Sequence, residues 1–88
     1  MKRKPDVILT LSAGKNVLIP TGEAAASYKG IISVNEMGTV LWNMLETEIT
    51  KEQMLEKVLA EYDVTEDVAK KDIENFLNKL NAAGFLAD

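Results

Sequence analysis

The spacing of apolar residues changes once along the chain, at Asn35, and this change limits the fold more than any other feature. Before Asn35 the apolar residues form short, β-branched stretches, whereas after it they recur every three or four residues. Short β-branched stretches are typical of strands, and the longer period is typical of amphipathic helices. The sequence therefore predicts an α+β domain in which a small sheet is followed by helices.

Three strands are predicted before Asn35. Residues 7–11 and 16–20 flank a turn at Gly14, which indicates a β-hairpin. Pro20 cannot donate a ladder hydrogen bond, so the second strand should end there. Residues 31–34 form the third strand. The segment between Pro20 and this strand is compatible with either a short helical turn or an extended arm.

Three helices are predicted after the change of period. Asn35 begins the first, and Thr50 begins the second because Thr50 and Gln53 form a capping box. Thr65 begins the third, which Gly84 ends. The residues expected to be buried on the second and third helices are Met54, Leu55, Val58, Leu59, Tyr62, Ala69, Ile73, Phe76, Leu77, Leu80 and Ala83. The predicted order, β-β-β-α-α-α with a three-stranded antiparallel sheet, fits a winged helix-turn-helix.

The composition limits the possible functions. The 88 residues suffice for one domain, residues 1–88, and they include no His and no Cys, so the usual general base, strong nucleophile and zinc ligands are missing. We therefore expect a protein that is not an enzyme and holds no cofactor or metal. No apolar run approaches the roughly 18–20 residues of a membrane span. The basic start is not followed by the apolar h-region of a secretory signal, so the expected location is the cytoplasm.

The charge distribution bears on nucleic-acid binding. Residues 30–88 carry twelve acidic groups against five basic ones, and the net charge of the chain is −4. A winged helix can bind DNA, which makes a transcriptional regulator the alternative function. The third helix, however, combines Lys70, Lys71 and Lys79 with four acidic residues and no Arg. Because DNA-reading helices usually present a basic face with Arg, we expect no nucleic-acid partner.

Several short motifs occur in an order that resembles the PqqD family, named after the small protein D of pyrroloquinoline quinone biosynthesis. The resemblance covers about residues 5–87. Its markers are Pro20, Gly22–Glu23–Ala24–Ala25, Asn35–Glu36–Met37–Gly38, Trp42, Leu45, Glu61–Tyr62–Asp63–Val64, Phe76–Leu77, Leu80 and Gly84–Phe85–Leu86. Each motif is compatible with a role in folding alone, but together their order and spacing are specific.

This resemblance implies a RiPP recognition element, a domain that binds the leader of a ribosomally synthesised precursor peptide and presents the peptide to a modifying enzyme. In many such systems the enzyme is a radical SAM protein. The third strand lacks the aromatic pair of some lasso-peptide recognition elements, which favours the PqqD branch and a radical SAM partner.

The resemblance also implies a binding site, in which the leader adds as a strand to the third strand and lies in a groove against the third helix. The implied peptide-binding residues are Lys29, Gly30, Ile31, Ile32, Ser33, Val34, Val68, Lys71, Asp72, Asn75 and Lys79. Lys71 and Lys79 would pair with acidic leader residues. Alternatively, the basic N-terminal arm, residues 2–4, could itself cover the strand edge.

Overall fold

The computed structural model describes residues 1–28 and 30–87. In chain order its elements are β1 (Val7–Ser12), β2 (Lys15–Pro20), α1 (Gly22–Ser27), β3 (Ile32–Val34), α2 (Glu36–Met44), α3 (Lys51–Glu61) and α4 (Glu66–Ala83). The strands form one antiparallel sheet in the order β1-β2-β3. The predicted α+β class and three-stranded antiparallel sheet are therefore confirmed, and the arrangement is compatible with a winged helix-turn-helix. The described residues contain one more helix than the predicted order.

The β1–β2 hairpin has a two-residue loop. Ser12 pairs with Lys15, and both loop residues, 13–14, have positive φ angles of 52° and 79°. A two-residue loop with these angles resembles a type I′ turn, in which Ser12 and Lys15 are hydrogen-bonded partners. Opposite residues then alternate between bonded and non-bonded pairs along the ladder. The bond from the Thr21 amide to the Asp6 carbonyl, 2.8 Å, lies where this alternation requires a bonded pair.

The additional helix, α1, lies in the segment for which the sequence left two possibilities open. Its three alanines favour helix once an end is capped. The N-cap residue Thr21 makes no side-chain cap bond. Instead, the carboxylate of Asp6 accepts from the Ala24 amide at 2.9 Å, while the Asp6 carbonyl accepts from the Thr21 hydroxyl at 2.6 Å. A residue just before β1 thus caps α1, which follows the neighbouring strand β2.

The other helices begin where the sequence predicts. The Asn35 side chain accepts from the Gly38 amide at 2.7 Å. Thr50 and Gln53 form both bonds of the capping box, at 3.1 and 2.9 Å. The Thr65 side chain caps α4. At the other end of α4, Gly84 adopts a left-handed conformation, as a helix-terminating glycine commonly does.

The core lies between one face of the sheet and the helices. Its largest fully buried side chains are Trp42, Phe85, Leu18, Leu41, Leu45, Met54, Leu80 and Val58. All six predicted apolar residues of α4 are buried. On α3 the prediction is wrong for Leu59 and Tyr62, which are 36% and 37% exposed. The physical reason is that α3 packs mainly on α4 and ends at Glu61, so the end of its apolar stripe has no partner.

The N-terminal arm packs against the end of the chain. The Lys4 amide donates to the Phe85 carbonyl at 2.9 Å, and the Ala87 amide donates to the Lys2 carbonyl at 2.7 Å. The guanidinium of Arg3 lies 5.2 Å from the Trp42 ring centre. Within the described residues, the backbone bonds of the arm are made at this C-terminal segment and at the loop between α2 and α3, and none is made with β3.

Candidate functional site: a groove between β3 and α4

A groove of about 470 Å³ lies where β3, the first turns of α2 and one side of α4 meet. Its lining consists of residues from these elements and the junction between β3 and α2: Ser33, Val34, Asn35, Met37, Gly38, Leu41, Asp72, Asn75, Phe76 and Lys79. An open groove beside a strand, rather than an enclosed cavity, is suited to an extended chain.

The edge of β3 that borders the groove carries free backbone groups. β3 is the last strand of the sheet. The bonded pairs between β1 and β2 fix which backbone groups of β2 point toward β1. The backbone groups of Asn16 and Leu18 therefore point the other way, toward β3. Val34 and Ile32 lie opposite them. The backbone N–H and C=O of Ser33 consequently point away from β2. No further strand pairs with this edge in residues 1–28 and 30–87, so Ser33 can accept an added strand.

Close contact at Gly38 brings the walls of the groove together. A Cβ atom at this buried position would lie 3.1 Å from the Val34 Cβ and 3.3 Å from Phe76 Cε1. A side chain at this position would therefore require Val34, Phe76 or the start of α2 to shift by a few tenths of an ångström. The glycine allows three elements to meet at one point, and the groove opens beside that point.

The inside and the rim of the groove differ in polarity. Val34, Met37 and Phe76 line it with apolar surface and are all at least partly buried. The exposed side chains of Asp72 and Lys79 line it from α4. They are seven residues apart, or about 10 Å along the helix axis. This combination can bind an apolar side chain on the floor and opposite charges at two points of the rim.

Five of the residues implied by the resemblance lie together in the groove: Ser33, Val34, Asp72, Asn75 and Lys79. They come from β3 and from one side of α4, as the resemblance implies. Their contact with a peptide stays a prediction.

The remaining implied residues lie elsewhere. Ile32 is only 6% exposed and its side chain belongs to the core, while Ile31 precedes β3 and is 55% exposed. Val68, half exposed, lies one turn before Asp72 on α4. The exposed residues Gly30 and Lys71 are not part of the groove lining, and Lys29 lies outside the described residues.

Half of the lining was not identified from the sequence. The sequence predicts Asn35 only as a helix start and Phe76 only as part of the apolar stripe of the last helix, and it does not place Met37, Gly38 or Leu41 in the site. A signal was nevertheless present, because a helix that starts one residue after a strand must place its first turn beside the end of that strand. Only the tertiary packing shows that α4 passes on the same side.

Two other features are absent from the part of the chain that the structure describes. Residues 1–28 and 30–87 contain no group of three or more acidic residues placed to hold a metal ion. Over the same residues, no helix has the length and apolarity needed to cross a bilayer.

Two comparisons with known proteins give matches. The family model of coenzyme PQQ synthesis protein D (PqqD) matches residues 16–86. Among solved structures, TbiB1 in complex with the TbiA(beta) leader peptide is similar, with a TM-score of 0.73 and 22% sequence identity over 99% of this chain and 95% of that one. This likeness shows a shared fold. No curated protein matches the chain.

Proposed function

This chain belongs to the family of coenzyme PQQ synthesis protein D, and on that premise we propose that it binds the leader segment of a ribosomally synthesised precursor peptide. It acts as a peptide-recognition domain without a catalytic step of its own. The observation that carries the proposal is the groove beside the unpaired edge of β3. The fold is also that of TbiB1, a protein solved together with a leader peptide.

In the proposed mode of binding, the leader adds as a further strand to β3. Ser33 supplies the backbone donor and acceptor, which give affinity with little dependence on sequence. Successive side chains of an added strand point to opposite faces, so alternate leader residues enter the groove. An apolar leader residue would pack on Met37 and Phe76.

The rim of the groove adds selectivity for charge. Lys79 would pair with an acidic leader residue and Asp72 with a basic one, about 10 Å further along α4. Lys71, which the resemblance placed in the site, has no part in this proposal because it does not line the groove.

The partner that receives the peptide is proposed to be a radical SAM enzyme in the cytoplasm, where ribosomal precursors are made. Family membership supports this part of the proposal. The recognition domain would raise the local concentration of the precursor at the enzyme, and the enzyme's own cofactors would supply the chemistry.

The test is a titration of isotope-labelled protein with the leader peptide encoded beside its gene, followed by NMR amide shifts. We expect shifts concentrated at residues 30–35 and 72–79. Ser33→Pro should weaken binding at least tenfold because it removes the free donor at the edge. The matched control is Leu11→Pro on β1, whose amide also points away from the sheet but at the opposite edge.

Charge reversal tests the rim with the same peptide. Lys79→Glu should weaken the binding of an acidic leader several-fold. Lys57→Glu, at an exposed position of α3, controls for net charge. Equal affinity of these two variants would remove Lys79 from the site. No shifts with peptide together with salt-dependent binding of duplex DNA would overturn the proposed function.

A further inference from the structure

The second edge of the sheet, along β1, lacks the usual protection of edge strands. β1 is six residues long and reads VILTLS, without a charged residue or a proline. Natural edge strands are commonly short, charged, interrupted by proline or covered by another segment. Over residues 1–28 and 30–87, β1 pairs only with β2, and no other backbone bond reaches residues 7–12.

The backbone groups that β1 presents outward follow from the ladder. The bonded pairs with β2 involve Ile8, Thr10 and Ser12, so the N–H and C=O groups of Val7, Leu9 and Leu11 point away from the sheet. These three residues give donors and acceptors at every second position along the strand, as an antiparallel partner strand requires.

β1 presents an exposed apolar side chain on each face of the sheet. Ile8, on the outer face, is 51% exposed. Leu11 lies on the same face as the buried Val7, yet it is 69% exposed. No helix therefore extends beneath this end of β1, and there is room on the core side for a neighbouring strand.

We propose that β1 pairs antiparallel with β1 of a second copy of this chain, about a two-fold axis at Leu9. In this register Leu9 lies opposite Leu9 of the second copy, and Val7 lies opposite Leu11. The outward backbone groups of all three residues find partners in this arrangement. On the core side apolar side chains meet apolar side chains, on the outer face Ile8 meets Thr10, and the strands contribute no like charges. This self-complementarity favours a second copy over an unrelated strand.

The pairing produces one continuous sheet in the order β3-β2-β1-β1-β2-β3. Both β3 edges remain at the outer ends, so both grooves stay open. A contact made mainly by two strands is small, and interfaces below about 1,200 Å² belong to weak or transient complexes. We therefore expect a dimer that dissociates on dilution, with a dissociation constant of about 10 µM to 1 mM.

Sedimentation equilibrium over about 5 µM to 1 mM tests the association of the full chain. The wild type should change from monomer toward dimer across this range. Leu11→Lys should remain monomeric because it places a charge at the pairing edge. Ala60→Lys, at an exposed position of α3, is the charge-matched control. A wild type that stays monomeric at 1 mM, or association equal in both variants, would overturn the proposal.

Cross-linking tests the register, since the chain contains no native cysteine. In the proposed register Ile8 lies opposite Thr10 of the second copy. Mild oxidation should cross-link an equimolar mixture of Ile8→Cys and Thr10→Cys, and neither variant alone. Cross-linking of Thr10→Cys alone would instead place the axis at Thr10. A mixture that gives no cross-link while the wild type dimerises would place the interface away from β1.

This inference is independent of the proposed function. The monomeric Leu11→Lys variant should still bind leader peptide at β3. Loss of peptide binding in every variant with dimerisation intact would contradict the proposed function alone.

Discussion

Two small residues occupy positions with special demands, one on backbone conformation and one on space. Ala13 in the hairpin loop has a φ of 52°, in the left-handed region that costs a residue with a Cβ atom about 1–2 kcal/mol. Gly38 is buried where β3, α2 and α4 meet. The first residue carries local strain on exposed surface, and the second removes steric conflict beside the groove.

Replacing Ala13 should stabilise the protein. Asn tolerates the left-handed conformation better than Ala, and Asn-Gly is the preferred pair for this turn. We expect Ala13→Asn to raise the free energy of unfolding by about 0.5–1 kcal/mol, as measured by urea denaturation. Ala60→Asn, at an exposed position of α3, should lower the free energy of unfolding slightly because Asn is a poorer helix former than Ala. A decrease for Ala13→Asn would contradict the strain at this loop.

Replacing Gly38 should destabilise the protein even though Ala is the better helix former. The added methyl group would press on Val34 and Phe76, and overpacking of this kind costs about 1–3 kcal/mol. We expect Gly38→Ala to lower the midpoint of thermal unfolding and to weaken peptide binding through a displaced groove wall. Asn43→Ala, at an exposed position in α2, isolates the gain in helix propensity and should be neutral or stabilising. An increase in stability for Gly38→Ala would show that the walls yield easily.

At the level of elements, α1 and β3 show how the chain places one edge of the sheet. α1 is six residues long and would not be stable alone, since isolated helices shorter than about 12–15 residues are marginal. The cap from Asp6 joins it to the start of β1. Because α1 is followed within a few residues by β3, its position helps to set the position of the groove.

Removing the cap should therefore affect more than α1. We expect Asp6→Ala to lower the free energy of unfolding by about 1 kcal/mol, as for other lost helix caps. Amide shifts should change at residues 22–28 and extend into β3. Asp6→Asn keeps a side-chain acceptor and should retain most of the stability. If Asp6→Ala and wild type unfold at the same urea concentration, the side-chain bond to Ala24 does not stabilise the fold.

In the β2–β3 ladder the amides of Ile32 and Ser33 point in opposite directions, so a proline has different effects at the two positions. From the sequence alone, Ile32→Pro is expected to weaken leader binding because it removes a ladder donor and distorts the third strand. In the structure the Ile32 amide points toward β2 and its side chain is in the core, so this change would damage the sheet itself. Ser33 is the exposed residue whose amide points outward.

For the whole molecule, the N-terminal arm joins parts of the chain that are distant in sequence. The Arg3 guanidinium donates to the Trp42 carbonyl at 3.0 Å and lies against the Trp42 ring. It also lies 3.6 Å from the Glu46 carboxylate. Since the neighbouring Lys4 bonds to the backbone of Phe85, the arm holds the end of α2 and the C-terminal segment together.

Removing the Arg3 side chain should loosen this contact. Arg3→Ala removes one of two donors to the Trp42 carbonyl, which keeps its bond from the Leu45 amide at 3.1 Å, and exposes one face of the Trp42 ring. We therefore expect a loss of about 1–2 kcal/mol. The loss should appear as a lower unfolding midpoint and as red-shifted emission from the single Trp. Lys2→Ala, whose side chain is exposed, should change neither quantity. Unchanged emission in Arg3→Ala would mean that the arm does not shield Trp42.

The sequence alone determined the elements that depend on neighbouring residues. The starts at Asn35, Thr50 and Thr65 and the end at Gly84 were predictable because caps act within one turn of a helix. The apolar stripe of α4 was predictable for the same reason, since periodicity is a property of a single segment. The resemblance to PqqD correctly indicated the family.

The tertiary structure decided what depends on residues far apart in sequence. Asp6 caps α1 and Phe76 of α4 packs against Gly38, and neither relationship has a local signal. Tyr62 was misassigned to the core because the apolar periodicity of the sequence continues past Glu61, where α3 ends. The groove likewise needed the crossing of α4 beside β3, which places Lys79 at the rim and leaves Lys71 outside. Packing between segments, and not the pattern within any one of them, selects which of the helix's polar residues line the site.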